Sequence, residues 1–294
     1  NNSNKIGAFI KDNISISEKF SLQPGIRLDF FNHQNKIFLQ PRINGIYRIN
    51  KKWNINMALG VYNQFLSKNT TIDQQNNYSF AWSLSNAKNI PVISSQHMVL
   101  GSVFDNDFFK FSIEGFYKRT KNISLFINNT ENNNRSISKG EAHSIGMDLY
   151  LKYLWKKHEF WVAYTLGQTL ENFSYFNSDD FQLAPHNQTH EVKAAAVFNF
   201  QPFFFSANYV YGSGLEFTRK SESDNKPSPY HRLDIAAMYK FKTPNLNFEI
   251  GLSVLNVLNN YNIGYNYFSN YDDSKLVYSK TMSLTPLINL NIGF

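Results

Sequence analysis

The chain contains no cysteine, which excludes a disulfide framework and thiolate metal chemistry. Long apolar runs are missing too. No stretch approaches the ~18 consecutive apolar residues that mark a membrane-crossing helix, and no convincing amphipathic helix is visible. Glycine and proline are modest, at 14 and 9 of 294 residues. Lys and Arg outnumber Asp and Glu by 29 to 22, a net charge of +7, yet they never gather into the patch or stripe that nucleic-acid binding needs. A membrane β-barrel survives all of these absences. Its strands alternate apolar with polar residues, so its average hydropathy, here −0.40, looks like that of a soluble protein.

Aromatic residues, mainly Phe and Tyr, make up 16% of the chain. Period-two alternation runs through most of it, as strands require. Phe20, Leu22, Pro24, Ile26, Leu28 and Phe30 form one face, and Ser21, Gln23, Gly25, Arg27 and Asp29 the other. The pattern predicts thirteen strands near 4–16, 19–31, 37–49, 52–66, 95–105, 107–122, 139–154, 158–175, 187–200, 202–217, 229–242, 245–258 and 275–294. Many exceed the five or six residues usual in globular proteins and reach the ~9–11 that a tilted strand needs to cross a bilayer.

The connections alternate short with long. Tight turns are expected at 17–19, 50–52, 105–107, 155–158, 201–202 and 242–245, and longer connections at 67–94, 123–138, 176–186, 218–228 and 259–274; 32–36 is the short exception. In an up-and-down sheet this puts every tight turn at one end, the asymmetry of outer-membrane barrels with short periplasmic turns and longer extracellular loops. Aromatics cluster where strands meet the tight turns: Tyr47 and Trp53, Phe108 and Phe109, Trp155 and Phe160, Phe198 to Phe205, Tyr239, Phe241 and Phe248. That is the girdle expected at a headgroup interface. The fold class expected is all-β, an antiparallel up-and-down transmembrane barrel over 1–294. Its lumen is expected to hold Arg27, Asp29, Arg42, Arg48, Lys110, Glu114, Lys118, Asp148, Lys152, Lys193, Asp234, Lys240 and Glu249, because charge is costly toward lipid and acceptable in a wet or plugged interior.

Several segments carry a resemblance. "YHRLDIAAMYKF" (230–241) is followed by "FEIGLSVLNVLNNYN" (248–262), with Val254, Asn256 and Asn259 in a "VxNxxN"-like spacing, and then by a strand ending on Phe294. "GAFIKDNISISEKFSLQPGIRLDFF", "QPRINGIYRI" and "ANYVYGSGLEFT" add to it, the last with Leu215-Glu216 where proline is common. Together they resemble the C-terminal part of TonB-dependent outer-membrane receptors. The resemblance implies a fragment of a 22-stranded barrel without its N-terminal plug. It implies a partner complex (TonB) acting through that missing region, and energy-dependent import of a scarce nutrient: a ferric siderophore, haem, a cobalamin, an oligosaccharide or a peptide. It implies residence in the outer membrane of a Gram-negative bacterium, among lipid and lipopolysaccharide. The final comb of Met282, Leu284, Pro286, Ile288, Leu290, Ile292 and Phe294 resembles the terminal signal read by the barrel-assembly machinery. The chain opens on Asn1 and enters a strand pattern at once, so further chain is expected upstream.

Ligand contacts are expected in the long connections, where aromatics and Arg give area and orientation: Tyr78, Phe80, Trp82, Tyr175, Phe176, Arg219, Tyr265, Tyr267 and Phe268. No cofactor and no metal site is expected. His186 and His190 stand four apart, but outside a helix; His97, His143, His158 and His231 are isolated. Asp179–Asp180 and Asp272–Asp273 lack a calcium-loop pattern. A barrel enzyme would need Asp179, Asp180, His186 and His190 to converge, and "YGSGL" around Ser213 is not a nucleophile elbow. A passive porin or lipid-transport channel and a soluble β-rich binding module remain as alternatives.

Overall fold

The computed structural model describes residues 3–73, 78–86, 88–129, 134–176, 179–216, 227–269 and 272–293, with the backbone alone for 129, 134–135, 265–269 and 272–278. The described strands form one sheet of 17 strands and a separate two-stranded hairpin. Thirteen of the segments follow one another as an unbroken antiparallel meander. They are Lys5–Lys11 continued by Ile14–Ser15, Phe20–Phe31, Lys36–Arg48, Trp53–Gln64, Ile93–Asp105, Phe109–Asn129, Asn134–Trp155, His158–Phe173, His190–Phe200, Phe203–Gly212, Tyr230–Lys242, Asn247–Leu255 and Thr285–Gly293. Among the described residues no ladder joins the first of these strands to the last.

Register assigns the faces. Arg27 stands opposite Gln40, Lys118 opposite Ser144, Asp148 opposite Thr165, and Lys240 opposite Glu249. Followed strand to strand, these pairings put all thirteen of the charged residues named above on one face. The other face carries exposed apolar side chains such as Leu28, Leu39, Leu100 (61% exposed) and Ile288 (80% exposed). A water-soluble sheet would bury that face. Here it is left exposed, while the polar side buries some of its groups, with Asp29 only 2% exposed.

Several groups on the charged face pair locally. Arg27 Nη2 lies 2.9 Å from Asp29, whose other oxygen accepts from Gln40 at 2.7 Å. Lys152 pairs with Glu159 at 2.8 Å, Lys193 with Glu191 at 2.7 Å and Arg232 with Asp234 at 2.8 Å. Arg42 lies 4.5 Å from the centre of the Tyr62 ring. At the tight turns the aromatics do meet: Phe160 on Phe198 at 5.4 Å, Phe203 on Tyr239 at 4.9 Å and Phe241 on Phe248 at 4.7 Å between ring centres. His158 is buried among Trp155, Phe198 and Phe200, and its Nδ1 accepts the Asn199 backbone N–H at 3.0 Å. That histidine locks a turn.

Three expected boundaries are corrected. The connection expected at 123–138 is mostly sheet, because Phe109–Asn129 and Asn134–Trp155 run on for 21 and 22 residues. Within 67–94 lies a hairpin, Leu66–Ile72 with Tyr78–Leu84. Its first strand pairs in parallel with residues 125–127, filling the place beside the long strand that Ile93–Asp105 leaves empty. The apolar clusters sit at this end: Phe31, Phe65 and Val92 in one, Ile72, Leu125 and Phe173 in the other. Among the described residues, the buried apolar clusters lie where the hairpin folds over.

The third correction concerns the last strand, expected as one run over 275–294. Asp272–Lys280 pairs instead with Ile263–Ser269 in the separate hairpin, and only Thr285–Gly293 joins the meander. Asn256 explains the break. Its side chain is fully buried, donates to the carbonyls of Met282 (2.9 Å) and Asn260 (3.2 Å), and accepts from Asn260 N at 3.3 Å. Its backbone N–H bonds Asp234 at 2.8 Å. Asn259 holds the Leu284 N–H at 3.2 Å. Both asparagines adopt left-handed φ, 50° and 48°, which asparagine tolerates better than most residues. This amide corner grips residues 282–284 and stops the comb short of Met282.

Gly214 has φ 96°, and a methyl group there would run into the Ser228 carbonyl. Gly214→Ala is therefore expected to cost roughly 1–2 kcal/mol through backbone strain. A lower unfolding temperature of the purified protein would register it.

Candidate functional site

At the end with the long connections, the charged face opens into a cavity of about 700 Å³. Thr120, Ser144 and Thr169 of three adjacent strands form one wall, and Lys68, Asn69, Thr70 and Phe80 of the hairpin another; Glu171 and His186 close a third side. The lining mixes hydroxyl and amide groups with apolar side chains such as Ile93, Ile123 and Leu215, two aromatic rings (Phe80 and Phe173) and one acid–imidazole pair. Lys68 Nζ lies 4.7 Å from the centre of the Phe80 ring.

Two polar groups are held under tension. Asn69 is 4% exposed; its Oδ1 accepts from Ser67 at 3.1 Å, while Nδ2 is buried with no hydrogen-bond partner among the described residues. A buried donor without a partner costs about 1–3 kcal/mol, which a hydrogen-bonding ligand would recover. Glu171 stands past the ~9–11 residues that cross a bilayer from the tight turn at 156–157, opposite Gln182 of the loop. Burial pushes its carboxyl up to about 7. His186 Nδ1 is 3.8 Å away, and burial pushes that imidazole down. Both shifts favour the neutral forms, so the contact loses salt-bridge character near neutral pH, where the Glu171 carboxyl is only about half ionised. Tyr78, beside Glu171 in a smaller adjoining pocket, is raised by burial and then by the nearby carboxylates of Glu171 and Glu216.

The ligand contacts expected from sequence are dispersed. Phe80 lines the large cavity and Tyr78 the smaller one. Trp82, 68% exposed, lies outside both linings. Tyr175 and Phe176 pack edge-to-face on each other at 5.2 Å on a short turn, and only Phe176 reaches the smaller pocket. Tyr265, Tyr267 and Phe268 lie on a strand whose neighbour Gly264 lines the cavity, but their side chains are outside the described residues, as are Arg219 and Phe294 altogether. His186 and His190 part company: the first faces Glu171, the second hydrogen-bonds Tyr164 at 2.8 Å. Among the described residues no group of three metal-ligating side chains forms. Sequence reasoning missed Asn69 and Glu171. A lone acid or amide inside a strand pattern carries no periodic signal, and only the register brings them to the same mouth.

The sequence profile of the family described as TonB dependent receptor-like, beta-barrel, matches residues 1–257. The chain belongs to this family. Solved structures agree on the fold. The ferric yersiniabactin uptake receptor FyuA of Yersinia pestis superposes with a TM-score of 0.73 at 14% identity, over 99% of this chain and 46% of the other. The ferric-catecholate import receptor Fiu of E. coli K12 gives 0.68 at 14% over 98% and 44%. The FrpB iron transporter of Neisseria meningitidis gives 0.63 at 15% over 99% and 45%. This receptor-family chain therefore spans less than half the length of those structures. No curated protein matches it at a significant level. Within the family fold, the "RLD" and "VxNxxN"-like segments acquire a physical role: Arg232, Asp234 and Asn256 are consecutive links of the amide corner that positions the last strand.

Proposed function

We propose that this chain is the barrel portion of a TonB-dependent receptor in a Gram-negative outer membrane, which captures a scarce, hydrogen-bonding small nutrient at its extracellular mouth and imports it into the periplasm. The carrying observation is the cavity of about 700 Å³ at the long-connection end, lined by polar and apolar side chains, with Asn69, whose Nδ2 has no partner among the described residues, in its wall. Preorganised donors in a concave site are what small-molecule capture requires. On this reading the plug domain and the energy-supplying TonB complex belong to the full-length protein, and insertion proceeds through the barrel-assembly machinery. The apolar face meets lipid and lipopolysaccharide. A transport role needs no catalytic constellation.

A deletion strain is expected to lose growth on one defined iron, metal or glycan source, and a strain lacking TonB to lose it in the same way. Persistent uptake without TonB would overturn the reading in favour of a passive porin or lipid channel.

A further inference from the structure

The hairpin at the mouth is turned the wrong way round for a segment that only has to be stable. Register puts Tyr78, Phe80 and Trp82 on one face with Lys68 and Thr70. Ser67, Asn69 and Thr71 belong to the other face, and it is these three that are buried, none more than 4% exposed. Ile72 and Tyr78 anchor the aromatic face at one end, packed with Leu125 and Phe173. Toward the other end its rings are presented outward, Phe80 at 36% and Trp82 at 68% exposure. Hiding hydroxyl and amide groups while exposing large rings reverses what burial favours. Exposed apolar surface at a concave mouth is the mark of a binding surface.

The three rings alternate along one strand, so they form a row on the order of 13 Å long. The row begins in the smaller pocket at Tyr78, passes Phe80 in the large cavity and ends on Trp82 outside both. The two cavities share Thr70, Glu171 and Phe173, and Thr70 stands opposite Phe80 in the hairpin. Such a row fits an extended ligand with apolar faces better than a compact one.

The polar groups of the cavity wall both donate and accept. Thr120 Oγ1 lies 2.9 Å from Ser95 Oγ, and Ser144 Oγ 3.0 Å from Thr169 Oγ1; in each pair either oxygen can donate. A hydroxyl bonded in this way keeps further capacity for a third group. The neutral imidazole of His186 and the half-protonated carboxyl of Glu171 offer both functions too. Among the described residues, Lys68 is the one Lys or Arg in the lining. An anionic chelate presents acceptors and net negative charge, and would meet a single ammonium here. Ligand hydroxyls donate and accept in turn, as this wall does.

We propose that the mouth takes a neutral saccharide of more than one ring, with its C–H faces stacked along Tyr78, Phe80 and Trp82 and its hydroxyls on the Ser–Thr wall. This ligand class presupposes the receptor role proposed for the chain.

The probe is an array of immobilised neutral and acidic oligosaccharides of graded length, read with the labelled full-length protein in mild detergent. Ferric citrate and a ferric tris-catecholate serve as competitors. The wild type is expected to bind a neutral series, more tightly as the chain lengthens, and neither chelate should displace it. Trp82→Ala should weaken the longer members roughly tenfold, the loss of one covered ring face, and leave the shortest binding member unchanged. Thr169→Val, which removes a wall hydroxyl and keeps the side chain's shape, should weaken short and long members alike. An array without a neutral ligand, preference for acidic glycans, displacement by either chelate, or wild-type binding by Trp82→Ala would overturn the proposal. Should Trp82→Ala fail to accumulate, Thr169→Val decides, and unchanged binding by it overturns the proposal. A blank array beside TonB-dependent growth on an iron source would remove the saccharide and leave the receptor; glycan binding beside uptake that persists without TonB would do the reverse.

Discussion

Asn256→Ala is expected to destabilise the folded chain by on the order of 4 kcal/mol. The substitution leaves the Met282 and Asn260 carbonyls without the amide that donates to them, removes the acceptor of Asn260 N–H, and places alanine at φ 50°. A buried polar group stripped of its partner costs about 1–3 kcal/mol, and left-handed strain at a non-glycine residue adds about 1–3. The readout is the temperature at which the heat-modifiable folded band disappears on SDS gels. Asn256→Gly separates the two causes: glycine relieves the backbone and restores none of the bonds, so it should recover only part of the loss. Equal stability of wild type and alanine variant would mean that residues 282–284 are held by something other than this corner.

Glu171→Gln is expected to raise stability at alkaline pH and leave it unchanged in acid. The folded chain holds the Glu171 proton up to about pH 7, against an ordinary value of 4.5. Between those values the folded form binds a proton that the unfolded form releases. Stability from this group is therefore complete below about 4.5, falls as pH rises, and stays low above 7. The full difference is on the order of 3 kcal/mol. Since His186 and other groups titrate in the same experiment, the diagnostic quantity is the difference between the two proteins' unfolding temperatures from pH 4.5 to 8. It should open from near zero through the window between 4.5 and 7. A constant difference would show that water reaches the carboxylate and that burial does not control it.

The thirteen-strand meander was legible because each strand has one apolar and one polar face, and a period of two survives even where boundaries shift. The tight turns were legible for the same reason: alternation stops there and charged or amide residues intervene. The far end was less readable. The segment "LSKNTTI" buries the polar Ser67, Asn69 and Thr71 and exposes Leu66, so its buried face carries no apolar period, and the extension through Ile123 and Ile127 looked like an asparagine-rich loop. The break before Thr285 was hidden because Met282 and Leu284 continue the apolar comb by spacing although the Asn256 and Asn259 amides hold that stretch outside the ladder. The hydrogen-bonded pairs Tyr117–His143, Tyr164–His190 and Tyr209–His231 could not be found without register, since their members are 26, 26 and 22 residues apart. The same holds for Glu171 and Asn69, which come from strands that do not pair with each other.

The parallel ladder between residues 70–72 and 125–127 has a kinetic consequence. Almost every other pairing in the meander joins strands consecutive in sequence, the kind of contact that forms early and at low loop-closure cost. This one closes a loop of more than fifty residues, and its partner segment exists as a template only after Phe109–Asn129 has been laid down. The hairpin over the mouth is therefore the last part of this region to settle during assembly. Substitutions confined to it should leave the rate of sheet formation unchanged and alter only the slow final phase in which the mouth acquires its roof.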